Sequence, residues 1–252
     1  MVKTKTEPTN KSWFEIKNTS ATASEIYIMG DIVDEQWVSE DVTPTWFKDE
    51  LDRLKKADHI HIFVNSGGGS VFAALAIHNM IKNSKAFVTT HVMGLAASSA
   101  SWMIMPSNKI VMPKNAFIML HLPVSGVIGN KNDFIAAAEI LTKVEEIITD
   151  SYLRGGKKLT KDKVTEMMNA GETWLDGQQA FDIGLIDFVE PPVAVANHGD
   201  YVVINGVKHS RDKFQNFPEV KVEDTKQYSK YQERINNALD IYSNLNLEKY
   251  NV

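Results

Sequence analysis

Residues 59–94 read HIHIFVNSGGGSVFAALAIHNMIKNSKAFVTTHVMG, and their order sets the architecture. In HIHIFVNS, Ile60, Ile62 and Val64 alternate with His59, His61 and Phe63, the two-residue period of a strand. That strand runs straight into Gly67, Gly68 and Gly69. VFAALAIHNMIKN then has the composition of a buried helix, and AFVTTHVMG is a second strand. Strand, glycine turn, helix and strand in that order form a βαβ unit. Such a crossover joins neighbouring parallel strands, so an α/β fold with a largely parallel sheet is expected.

The same reading extends outward. Upstream, WFEIKN from Trp13 and SEIYIMGDI read as strands. After Pro44, TWFKDELDRLKKA sets Trp46, Phe47, Leu51 and Leu54 at helical spacing. Downstream, LAASSASWMIM reads as a second buried helix, NKIVM as a strand, and NAFIMLHLP as a strand ending at His121. The longest helical pattern spans Asn132 to Leu153, with Phe134, Ala138, Leu141, Val144, Ile147, Ile148 and Tyr152 on one stripe and Gly155 and Gly156 to stop it. KDKVTEMMNAG follows Thr160 as N-cap, and GQQAFDIGLID reads as a helix leading into a last core strand. Three stretches are expected: a flexible N-terminus over 1–12, a main domain over 13–192, and an appendage over 193–252. The appendage carries a hairpin signal at Asn205–Gly206 and a weakly helical polar run from Lys226 to Lys249.

Composition narrows the function. The chain has 252 residues, 43% hydrophobic and 23% charged, with a formal net charge of -5 and no cysteine. A mildly acidic chain does not hold polyphosphate by bulk charge, so nucleic acid is not an expected partner. Absence of cysteine removes disulfides, thiol catalysis and thiolate metal sites. The start MVKTKTEPTNKSW has no apolar run after its lysines, and no window approaches a membrane span. A cytoplasmic protein without membrane attachment is expected, with no cofactor and no metal. His59 and His61 share a strand face, but no third ligand stands at a clear spacing.

Three junctions at strand ends carry chemistry-bearing residues, where sites form in parallel α/β sheets. Asn65-Ser66-Gly67-Gly68-Gly69-Ser70 lets backbone N–H groups approach a ligand, as an oxyanion hole needs; alone it is equally a flexible turn. It lacks the lysine and Ser/Thr of a nucleotide-binding loop. Gly94-Leu95-Ala96-Ala97-Ser98-Ser99 places serines at a helix start, where the dipole favours a developing oxyanion; alone they are packing residues or caps. Met119-Leu120-His121-Leu122-Pro123 ends an apolar strand on a histidine, alone either a base or a hydrogen-bonded core residue.

Together, NSGGG, GLAAS and MLHLP resemble the Clp protease proteolytic-subunit family (peptidase S14 type) over roughly residues 25–190. Order and spacing both match, with His121 lying 23 positions after Ser98. The resemblance implies a Clp/crotonase-like spiral of βαβ units with a protruding long helix, the handle, made by the stretch after His121. It implies Ser98 as nucleophile, with Ser99 its rival on composition alone, and His121 as general base. It implies oxyanion donors at Gly68 and Ser99. Peptide substrate is implied to pair as a strand along Gly69, Ser70 and Val71 and along Pro123, Val124, Ser125 and Gly126. The third partner falls on Glu172 by alignment, with Asp176 as second choice; the family has aspartate, and its loop has proline where this chain has Gly67.

The entrance and the tail look more like the head-maturation (prohead) peptidases of bacteriophages than like housekeeping subunits. That likeness implies capsid or scaffold proteins as substrates, the host cytoplasm or assembling prohead as location, and a homo-oligomeric ring or double ring. The alternatives are a housekeeping Clp subunit served by an ATP-driven unfoldase, a crotonase-like acyl-CoA enzyme, and a ring-forming scaffold protein with a vestigial site.

Overall fold

Five parallel strands in the order β1-β2-β3-β4-β7 build the main sheet: β1 (Ala23–Ile28), β2 (His59–Ser66), β3 (Phe87–Ala97), β4 (Lys109–Pro113) and β7 (Phe188–Glu190). Two further strands continue it at one end. β5 (Phe117–Leu120) pairs in parallel with β3, and β6 (Thr173–Asp176) pairs antiparallel with β5. This computed structural model describes residues 23–38, 41–154, 158–193, 195–204 and 207–219. The mixed α/β architecture with a mostly parallel sheet is the one expected. WFEIKN, the Gly155–Gly156 stop and the polar run from 226 lie outside the described residues.

Local signals set the helix starts. In α1 (Pro44–Arg53) the Thr43 hydroxyl accepts the Trp46 N–H, and Pro44 sits where no N–H is needed. α2 (Val71–Lys82) starts on Ser70, whose Oγ accepts the Ala73 N–H. The long helix α4 (Lys131–Tyr152) opens on a reciprocal box of Asn130 and Asp133. α5 (Lys161–Asn169) starts on Thr160 as expected, and α6 (Gly177–Asp182) on Asp176. Each side-chain cap contributes about 1 kcal/mol.

Burial follows the alternation of β2. Ile60, Ile62 and Val64 enter the main core with Phe47, Ile77 and Val92, while His59, His61 and Phe63 are half-buried on the other face. There His59 Nε2 meets Thr89 Oγ1 at 2.8 Å, and His61 Nδ1 meets His91 Nε2 at 2.9 Å. Among the described residues no group of three or more His, Asp or Glu is arranged to hold a metal ion.

Two expectations need correction. LAASSASWMIM is not one helix: Leu95, Ala96 and Ala97 continue β3 and pair with Phe117, Ile118 and Met119, leaving α3 only Ser99–Met103. Fully buried Leu and Ala serve a sheet as well as a helix, and the free edge of β5 decides between them. Residues 173–176, read only as a site segment, form β6, because the other edge of β5 takes a strand there.

The stripe along α4 is also split. Only its last turns are buried, through Ile148, Thr149 and Tyr152, while Phe134 is 55% and Ile140 53% exposed. The helix therefore projects from the body. No helix among the described residues is long and apolar enough to cross a membrane.

Residues after 193 form a second sheet, β10-β9-β8, from β8 (Val195–His198), β9 (Tyr201–Ile204) and β10 (Val207–Ser210). β9 and β10 pair antiparallel with Val207 opposite Ile204, which the Asn205–Gly206 signal anticipated. Val193, Val195, Val202 and Ile204 make a small core of their own, and a short 3-10 turn over Arg211–Lys213 follows.

Candidate active site

The site forms where β2, β3 and β5 end. β3 stops at Ala97, and the chain turns into α3 through Ser98 at φ 52. Ser98 is the one non-glycine residue with positive φ among the described residues. Such a conformation costs about 1–3 kcal/mol and persists only where the surroundings impose it. Here the Ser98 N–H donates to Met119 O at 3.0 Å, and Ser101 Oγ–H donates to Ser98 O at 2.5 Å. The turn lifts the Ser98 side chain out of the sheet, and its Oγ lies 2.7 Å from His121 Nε2. The rival Ser99 is not among the residues lining the cleft: its Oγ is buried, with no hydrogen-bond partner among the described residues.

The glycine loop packs backbone against backbone on this turn. Ser66 Oγ donates to Gly30 O at 2.6 Å and accepts the Gly68 N–H at 3.1 Å. A Cβ on Gly68, at φ 93, would stand 2.6 Å from Ala97 O and 2.8 Å from Ser98 Cβ. A Cβ on Gly69, at φ 144, would stand 2.0 Å from Ile32 O. Glycine is required at both positions by steric contact. Among the described residues no acceptor takes the N–H of Gly69 or of Ser99, whereas the Gly68 N–H is occupied by Ser66. The Ser70 N–H donates to Ile32 O at 2.7 Å and Val71 is already helical, so of Gly69, Ser70 and Val71 it is Gly69 that offers free backbone. Residues 123–126 follow shortly after His121 and have no strand partner among the described residues.

His121 follows β5 directly. Burial pushes its pKa below the ordinary imidazole value, and the Glu172 carboxylate partly offsets that shift. Glu172 precedes β6, one step past the Leu120–Thr173 pair. Its oxygens accept from Trp174 Nε1 at 3.3 Å and from the amides of Gln215 and Asn216 at 2.9 Å each. None of these donors is His121, so the two interact across the cleft through charge. Asp176, at the far end of β6, accepts the Gln179 N–H at 2.8 Å as the cap of α6, and is not among the cleft-lining residues.

These groups line one cleft of about 720 Å³, with Gly67 to Ser70, Ser98, Met119, His121, Glu172, Lys213 and Phe214 in its walls. A larger cavity of about 950 Å³ opens between α2, the base of α4 and α6 but holds neither Ser98 nor His121. Reactive groups, not volume, mark the candidate site. A serine bonded to a neutral-leaning imidazole, beside unoccupied backbone donors, is equipped for nucleophilic attack on a carbonyl.

The Clp protease family profile matches residues 8–192. The chain belongs to the Clp protease family. That family is one of serine endopeptidases, which places the chain among the hydrolases. It is 37% identical to an ATP-dependent Clp protease proteolytic subunit of Ligilactobacillus salivarius over 142 residues, 54% of this chain and 70% of the relative. It is 31% identical to the corresponding subunit of Mesostigma viride over 166 residues, 64% of this chain and 69% of the relative. A third relative, proteolytic subunit 2 of Corynebacterium diphtheriae, is 32% identical over 137 residues, 52% of this chain and 65% of the relative. Family membership decides against the acyl-CoA alternative.

This Clp-family chain also has cleft residues that sequence reasoning passed over. Lys213 and Phe214 line the cleft from the appendage, and Asp31, which pairs with Lys213 at 2.7 Å, lines it from the loop after β1. The available signal was Phe214-Gln215-Asn216-Phe217-Pro218, two aromatic residues in a polar stretch. It gained meaning only once Trp174 was placed beside them.

Proposed function

We propose that the chain is a serine endopeptidase in which Ser98 is the nucleophile, His121 the general base and Glu172 the group that stabilises the imidazolium. The observation that carries this reading is the 2.7 Å contact of Ser98 Oγ with His121 Nε2 at a strained strand-to-helix turn. Ser98 Oγ attacks the scissile carbonyl while its proton passes to His121 Nε2. The oxygen of the tetrahedral intermediate takes the N–H of Ser99 and that of Gly69. Gly69 replaces the expected Gly68, whose N–H is held by Ser66. Collapse breaks the C–N bond, and the leaving amine takes the proton from His121. Water, deprotonated by the same imidazole, then attacks the acyl-serine and releases the acid, returning the proton to Ser98. Peptide backbone would lie along Gly69 and residues 123–126, so side-chain preference is weak.

The proposed assembly is a homo-oligomeric ring or double ring with α4 at a contact. The exposed apolar side chains Phe134, Ile135, Ile140 and Ile147 on α4 support it. For substrate we propose capsid or scaffold proteins of a bacteriophage head. Its support is the appendage after residue 192, which extends the chain beyond the family region. A second reading is favoured by the names of the relatives above: a proteolytic subunit acting with an ATP-driven unfoldase.

A fluorophosphonate tests the chemistry: Ser98 is expected to be labelled in wild type, and absence of labelling overturns the proposal. Mass spectrometry of wild type against Ser98→Ala tests the setting. Ser98-dependent trimming without ATP supports self-contained maturation. Cleavage of a folded protein only with a Clp-type ATPase and ATP supports the second reading.

A further inference from the structure

Part of the cleft wall, at Lys213 and Phe214, comes from a segment outside the family region. The family match stops at residue 192, yet residues 195–216 return to the site. Every motif of the site gives them an anchor. From the glycine loop, Asn65 Nδ2 donates to Ile204 O at 3.2 Å, and His209 Nε2–H donates to Asn65 Oδ1 at 2.6 Å. From the nucleophile strand, Gly94 leaves the space that Ile204 fills; a Cβ there would stand 2.5 Å from Ile204 Cγ2. From the histidine strand, Met119 joins Leu95 and Ala97 in a buried cluster against which Phe214 and Trp174 pack. From the Glu172 segment, Trp174 meets Phe214 edge-on at 5.1 Å and Phe217 at 5.0 Å.

These anchors place two backbone donors on one carboxylate. The Gln215 N–H binds Glu172 Oε1 and the Asn216 N–H binds Glu172 Oε2, each at 2.9 Å. Hydrogen bonds to an ionised carboxylate are stronger than neutral ones, and donors on both oxygens fix its plane. A glutamate has one more rotatable bond than an aspartate, so orienting it takes more restraint. Trp174 Nε1 alone, at 3.3 Å, reaches only one oxygen.

We propose that residues 213–216 are a positioning element of the active site: the amides of Gln215 and Asn216 hold the Glu172 carboxylate beside His121. The working site is thereby completed by chain from outside the family region. This rests on the Ser98–His121–Glu172 reading. Gln215 and Asn216 act through Glu172 and touch no reacting atom, so their side-chain identity is immaterial and their N–H groups are what counts.

The rate of fluorophosphonate labelling of Ser98, followed against pH in the full-length protein, tests this without a known substrate. Gln215→Pro with Asn216→Pro deletes both donors. The pair is expected to slow labelling about 10- to 100-fold, the scale of a misplaced group. It is also expected to move the acidic limb to lower pH, since Glu172 raises the His121 pKa. Placed in a Glu172→Ala background, the pair is expected to change nothing more. A wild-type rate and limb, or an equal loss in both backgrounds, overturns the proposal. Lys213→Ala with Phe214→Ala removes anchors and keeps every amide; it is expected to give a smaller loss with a smaller limb shift in the same direction, and a slowed rate with an unmoved limb again overturns the proposal. Failure of wild type itself to label at Ser98 instead overturns the underlying peptidase reading.

Discussion

His121 and Glu172 are the residues next beyond the Leu120–Thr173 pair that ends the antiparallel β5–β6 ladder, and both line the cleft. Asp176 is fixed at the other end of the same strand, opposite Phe117. Glu172→Gln is therefore expected to lower kcat by about 10²- to 10⁴-fold with little change in KM, the scale of losing the partner of a catalytic imidazole. Asp176→Asn keeps a capping side chain and is expected to change activity less than about twofold and stability by less than about 1 kcal/mol. Peptidase kinetics and thermal melts on the two variants separate the candidates.

Ser98→Ala and His121→Ala are each expected to reduce peptide hydrolysis by about 10⁴-fold or more, and the double variant by no further large factor, because the two groups act as a unit. His121 must be neutral to accept the Ser98 proton. Its pKa lies below 6.5, with burial the larger cause. The acidic limb of kcat/KM is accordingly expected below pH 6.5, read directly from the pH profile.

Within the glycine loop, equal substitutions are expected to have unequal effects. Gly67→Ala meets nothing closer than 3.5 Å and is expected to cost within about 1 kcal/mol. Gly69→Ala puts a methyl group 2.0 Å from Ile32 O at φ 144 and is expected to cost about 3 kcal/mol or more. Denaturant melts of the two variants give the comparison.

Docking of the appendage is expected to weaken with acid. Burial pushes the His209 pKa down to about 4. Its unfolded value is near 6.5, so the folded state excludes a proton that the unfolded state binds. The stability this contributes is present above pH 6.5 and is lost as the pH falls towards 4, at most about 3 kcal/mol by linkage. Hydrogen exchange of residues 201–210 at pH 7 and pH 5 is expected to show the loss, and His209→Gln to flatten it.

Tyr152, fully buried at the base of α4, shares a 2.5 Å hydrogen bond with Ser101, whose Oγ in turn holds the Ser98 carbonyl. Tyr152→Phe is expected to cost about 1–2 kcal/mol of stability. Activity measured well below the melting temperature is expected to fall by less than about threefold, because Ser101 keeps its bond to Ser98.

The pairing of Ser98 with His121 was implied by the family resemblance of the three motifs; the sequence by itself determined the βαβ order and the strand-end position of each motif. Those follow from local rules: two-residue and 3.6-residue periods, caps and glycine turns act between near neighbours and leave their mark in composition. Tertiary structure decided the rest. It assigned Leu95 to Ala97 to a strand, because only the presence of β5 alongside distinguishes a buried strand from a buried helix. It pointed the Phe134 stripe to solvent, since helical periodicity records an apolar face but not what covers it. It separated Glu172 from Asp176 through the register of β5 and β6, and gave Glu172 its donors from Gln215 and Asn216, 43 and 44 residues further along the chain. Backbone amides carry no side-chain signature, so contacts made by them across such a separation exist only once the chain has folded.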